Sequence, residues 1–95
     1  MIMNKRMAGN GYLVCVCDED LLGKILKENG FEIKVSKGFY GNSKASEEEV
    51  INELSKATII NVLGKESINT LRKVKKIINV IEIQGVPHAQ WVKIL

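Results

Sequence analysis

The sequence has one proline, two cysteines and few aromatic residues: one Trp, two Tyr and two Phe. A lone Pro87 beside eight glycines excludes collagen-like and proline-rich linker chains. Cys15 and Cys17 are too few and too close for a disulfide framework, so a reducing compartment is expected. No apolar run approaches the roughly 18 residues that span a bilayer. The basic start Met1–Arg6 has no hydrophobic segment after it, unlike a signal peptide. The expectation is a soluble cytoplasmic protein with no membrane partner. Nucleophile motifs are also missing: there is no Gly-x-Ser-x-Gly and no cysteine in a catalytic signature. Gly64-Lys65-Glu66-Ser67 looks like the end of a P-loop, but position 59 is Ile and position 66 is Glu. The motif needs Gly at the first and Ser or Thr at the second, which excludes that route to nucleotide hydrolysis.

What is present is ordinary globular material. The 95 residues are 45% hydrophobic and 26% charged, which suits one domain and excludes disorder. Fourteen basic residues against eleven acidic ones give a net charge of +3. That balance permits an anionic partner without demanding one.

Residues 1–11 read as a flexible start, and 12–95 as a single α/β domain. Tyr12–Cys17 is an apolar run suited to a strand buried on both faces. Asp18-Glu19-Asp20 then reads as the start of a helix carrying Leu21, Leu22, Ile25 and Leu26, with Gly23 inside it and Asn29-Gly30 closing it. Phe31–Val35 alternates as a half-buried strand, and Ser36–Ala45 reads as a loop. Ser46 and Glu49 form a capping box for a second helix with Val50, Ile51, Leu54 and Ala57 on one stripe. Thr58–Leu63 is a strand ended by Gly64. A third helix is expected over 66–78 and a fourth strand over 80–83, stopped by Gly85 and Pro87. Residues 91–95 read as a last strand or a docked tail. Alternating strands and helices predict a layered α/β sandwich, with a mainly parallel sheet of four or five strands and three helices.

In such a sheet ligands gather at the carboxyl ends of strands. Three segments fall there: Asp18-Glu19-Asp20, Gly64-Lys65-Glu66 and Gln84–His88. His88, the one histidine, is a candidate proton carrier or ligand contact. The competing reading is a loop imidazole bonded to a backbone carbonyl. Asp18 and His88 together would make an acid/base pair, but Asp18 fits a plain helix cap better. Cys15 and Cys17 share one face of a strand. They read as core packing rather than metal ligands, because no second pair completes a zinc set. Arg72, Lys73 and Lys76 share one face of the third helix, a stripe suited to phosphates or simply to solvent. Phe39-Tyr40-Gly41 places two aromatics in a glycine-bounded loop, as a contact surface or a lid on the core.

Cys17–Lys24, Phe39-Tyr40-Gly41 and Gly85–Gln90 together resemble the small archaeal family called domain of unknown function 424, over nearly the whole chain from Tyr12 on. The resemblance implies an archaeal cytoplasmic protein of this size and tilts the partner toward translation; it brings no activity. Its motifs match Asp18, Gly23, Lys24, Phe39, Tyr40, Gly41, Pro87, His88 and Gln90. Loop and turn residues of this kind carry function more often than core residues do.

The reading that ranks first is a non-catalytic RNA- or ribosome-associated binding module. Lys24, Arg72, Lys73 and Lys76 would meet phosphates, while Tyr40, His88 and Gln90 would meet bases or a partner protein. A protein–protein adaptor or homodimer ranks second, through an apolar patch around Phe39, Tyr40 and Trp91. A small-molecule binder or enzyme using His88 at the strand-end rim ranks third. No catalytic residue, metal or cofactor is expected.

Overall fold

The structure is a computed structural model that describes residues 1–76 and 78–94. Among the described residues seven strands and three α-helices run in the order β1 (Ile2–Ala8), β2 (Gly11–Cys17), β3 (Ile25–Glu28), β4 (Phe31–Lys34), α1 (Lys37–Tyr40), α2 (Glu47–Lys56), β5 (Ile59–Leu63), α3 (Lys65–Arg72), β6 (Val80–Ile83) and β7 (Val86–Val92). A 3-10 turn, Glu19–Leu21, follows β2.

Five strands form one sheet in the order β1-β2-β5-β7-β6, and β3 and β4 form a separate hairpin. The expected α/β layering holds, but the expected mainly parallel sheet does not. Only β2 and β5 pair in parallel; β1–β2, β5–β7 and β6–β7 are antiparallel. The reason lies in the connections. A parallel pair needs a long crossover, whereas an antiparallel pair needs only a tight turn. Gln84-Gly85 takes φ values of 56° and 78°, the two-residue turn that folds β6 directly onto β7. Pro87 therefore lies near the start of a strand, next to Val86, rather than stopping one. The last strand expected over 91–95 begins earlier, at Val86; Leu95 lies outside the described residues.

Four further corrections concern single elements. Residues 2–8, expected to be a flexible start, are edge strand β1, whose exposed Lys5 and Arg6 mark a solvated edge rather than fraying. The expected helix from Asp18 to Glu28 is a 3-10 turn followed by β3. Gly23 lies between them at φ 91°, outside any helix. Asn29 (φ 49°) and Gly30 (φ 84°) form a hairpin turn and not a helix cap. Phe39 and Tyr40, expected in a loop, end the short helix α1, which Ser36 caps through the Phe39 amide. The third helix stops at Arg72 instead of running to Ile78, a span in which Ile77 lies outside the described residues. Its tail carries cations at spacings of three and four residues, which repel each other on a helix.

The sheet separates two apolar layers. Val14, Val16, Ile60, Val62 and Ala89 face Val50, Leu54, Ile68 and Leu71 of α2 and α3. On the other face, Ile2, Cys15, Cys17, Leu63 and Ile83 meet Leu21, Leu26, Val35 and Tyr40. Burial on both faces explains the unbroken apolar run of β2. The capping box of α2 is present as expected: Ser46 accepts from the Glu49 amide at 3.1 Å, and Glu49 accepts from the Ser46 amide at 3.0 Å. Replacing Ser46 with Ala should lower stability by about 1 kcal/mol, read as a shift in urea midpoint at constant slope.

Candidate functional site

The rim expected to hold a ligand exists even in this mixed sheet. Because β7 runs opposite to both neighbours, β2, β5 and β6 share a direction and their carboxyl ends meet. A cavity of about 220 Å³ lies there, lined among others by Asp18, Asp20, Gly64, Lys65 and Pro87. Its chemistry is already committed. The Asp18 carboxylate accepts from the Ser67 amide (2.8 Å), the Ser67 hydroxyl (2.7 Å) and the Glu66 amide (3.2 Å). Asp18 is thus a cap, but for α3 rather than for a helix of its own. Its charge sits where the dipole of α3 would otherwise draw an anion. Gly64, at φ 111°, leaves it room: a Cβ there would lie 2.3 Å from Asp18 Cγ. His88 is bonded elsewhere, so the Asp18–His88 acid/base pair does not assemble.

His88 belongs to a half-buried network on the other face of the sheet, away from α2 and α3. Its Nε2 lies 3.3 Å from Asn61 Oδ1, and the Tyr40 hydroxyl donates to the same oxygen at 2.6 Å. Strand register builds this cluster. Asn61 stands between Cys15 and Gln90, and Leu63 stands opposite His88. Burial holds His88 below the usual imidazole range, and the carboxamide oxygen opposite Nε2, which can only accept, favours the tautomer with its proton there. Burial also pushes the thiols of Cys15 and Cys17 up to about 11. They stay protonated and act as core side chains, consistent with the packing role read from the sequence.

Beside this network the sheet is not covered. One row across four strands reads Arg6, Leu13, Ile59, Val92, and the next reads Asn4, Cys15, Asn61, Gln90. Leu13, Ile59, Asn61, Gln90 and Val92, with Phe39 of α1, line a shallow groove of about 270 Å³. Val92 is 59% exposed there. Phe39 is fixed edge-on against Tyr40 with ring centroids 4.9 Å apart, and its carbonyl accepts from the Asn4 amide group at 3.0 Å. Gly41 lets the chain turn away at φ 74°, with Asn4 Cβ only 3.2 Å from where a side chain would begin.

The structure brings together Phe39, Tyr40, His88 and Gln90 from the sequence-derived candidates. It does not bring the basic stripe to them. Arg72 and Lys76 are exposed on the helical side, Lys73 Nζ is 2.6 Å from Glu47 Oε1, and Lys75 lies 4.0 Å over the Trp91 ring. Trp91 packs into the first core, so the patch of Phe39, Tyr40 and Trp91 is split by the sheet. Lys24 is exposed in the turn before β3. Sequence reasoning missed Asn61, Arg6 and Val92. Asn61 carried a signal: it is the one polar residue in the otherwise apolar Ile59–Leu63. Among the described residues no helix is long and apolar enough to cross a membrane.

Fold and face define a small α/β protein whose sheet is packed by helices on one side and partly open on the other. The chain belongs to the DUF424 family, "Protein of unknown function", whose model matches residues 5–94. The resemblance drawn from Cys17–Lys24, Phe39-Tyr40-Gly41 and Gly85–Gln90 is therefore borne out. The fold is similar to the crystal structure of an uncharacterized conserved protein from Methanopyrus kandleri, with a TM-score of 0.79 and 25% identity over 94% of this chain and 87% of that one. No curated protein matches the chain.

Proposed function

We propose that the chain is a non-catalytic binding module that holds a protein partner on the open part of the second sheet face. One observation carries this reading: Phe39, Tyr40, His88 and Gln90 converge around Asn61, beside an exposed groove lined mainly by apolar side chains. Apolar grooves with a few placed polar groups are the usual form of an anchor site. Catalysis lacks support, because Asp18 and His88 are engaged separately and both thiols are protonated. Contact with RNA or a ribosome would draw on Lys24, Arg72 and Lys76, and the last two lie across the sheet from the groove.

The test is capture from native lysate at low and high salt, using wild type, Val92→Asp, and the double change Arg72→Glu with Lys76→Glu. The expected result is a protein retained at high salt, lost with Val92→Asp by at least about tenfold, and kept by the double change. RNA captured at low salt and released both by high salt and by the double change would overturn this reading in favour of phosphate contact.

A further inference from the structure

We infer that the groove takes an extended peptide with an apolar anchor and a neighbouring acidic residue, and that Asn61 selects it by donating to a backbone carbonyl. This rests on the reading of the open sheet face as the working surface. Asn61 is 8% exposed. Its carboxamide oxygen is taken by Tyr40 and His88, which fixes the orientation of the group. Its nitrogen has no partner among the described residues, and none of their fully buried side-chain polar atoms is left unpaired. The nitrogen therefore opens onto the groove that Asn61 lines. A fixed N–H donor in an apolar trough asks for an acceptor that arrives with apolar surface on either side. A peptide carbonyl next to an aliphatic or aromatic side chain has that form, and Gln90, one strand over, can pair with the next peptide group.

Charge narrows the partner. Among the described residues no charged side chain lines the groove. The Arg6 guanidinium lies at its edge, 5.5 Å over the ring of Phe39 and in register with Leu13. A carboxylate beside the anchor residue would meet Arg6, whereas a lysine there would be repelled.

The experiment uses the full chain, labelled with nitrogen-15, and two pools of eight-residue peptides. Each peptide carries one central Leu, Ile, Phe or Val; the flanks are Asp and Glu in one pool and Lys in the other. The expected result is that the acidic pool shifts the Asn61 side-chain amide signals and the backbone amides of Phe39, Ile59, Gln90 and Val92, and that the lysine pool does not. Asn61→Asp keeps an acceptor for Tyr40 and His88 but replaces the donor, so affinity for the acidic pool should fall at least tenfold. Arg6→Glu, at an exposed edge position, should reverse the preference between the pools and needs no change in the core. Shifts in the groove that ignore both substitutions would overturn the inference and leave the open face as the working surface. Shifts confined to the helical side would overturn both. Loss of the groove signals on raising protein concentration without peptide would name a second copy as the occupant and overturn the peptide assignment.

Discussion

Gly64→Ala should destabilise the protein by about 3–5 kcal/mol, among the largest effects of any single methyl group in the chain. Gly64 has φ 111° and ψ 154°, a region open in practice only to glycine. Strain of that kind costs about 1–3 kcal/mol by itself. The added Cβ would also stand 2.3 Å from Asp18 Cγ and about as close to both of its oxygens. Asp18 cannot give way cheaply, because it holds two amides and one hydroxyl at the start of α3. Displacing it removes a cap worth about 1 kcal/mol and leaves polar groups of the half-buried helix start unpaired. Urea unfolding of Gly64→Ala, Asp18→Ala and the double variant separates these causes. Asp18→Ala alone should cost about 1–2 kcal/mol. In its background Gly64→Ala should cost less than in the wild type, since the clash is gone and the backbone strain remains. Additive losses, or a Gly64→Ala loss under about 1 kcal/mol, would contradict the packing described for this corner.

The rim was legible in the sequence, and its chemistry was not. Strand-end segments at Asp18, Gly64 and Gly85 could be placed together from the apolar runs before them. Which helix Asp18 caps depends on tertiary structure, because α3 begins more than forty residues later in the chain. Local reading favoured a helix starting at Asp18. Leu21, Leu22, Ile25 and Leu26 have helical spacing, and Ile25 is an exposed apolar residue on β3 that disguises the alternation of a strand. Asn29-Gly30 was the countersignal. The same dipeptide closes helices and builds hairpins, and pairing of Leu26 with Ile33 decides between them. The capping box at Ser46 was readable because both partners lie within one turn. The parallel sheet was not excluded by any local feature, since strand direction is set by register across the sheet and by two-residue turns. In the groove, Phe39, Tyr40, His88 and Gln90 could be singled out as residue types. Their meeting point, Asn61, could not, because a polar residue in a buried strand shows its purpose only once its neighbours are known.

Tyr40→Ala should cost about 3–5 kcal/mol, as expected for removing a fully buried aromatic ring. Tyr40 is 2% exposed and ranks among the largest fully buried side chains of the second core. The alanine variant tests packing and hydrogen bonding together, so Tyr40→Phe is the sharper companion. It keeps the ring and removes only the hydroxyl that donates to Asn61 at 2.6 Å, which should cost about 1–2 kcal/mol. The effect should reach further than stability. With Tyr40 silent, Asn61 Oδ1 keeps only the longer contact with His88 Nε2, at 3.3 Å, and the carboxamide becomes free to turn. The Asn61 side-chain amide should then show a lower nitrogen-15 order parameter than in the wild type, under conditions where the backbone amides of β2 and β5 keep theirs. Tyr40→Phe would thus loosen the groove donor without touching the groove wall. An unchanged order parameter at Asn61 would mean that packing alone orients the amide, and that the network around it is not what prepares the groove for a partner.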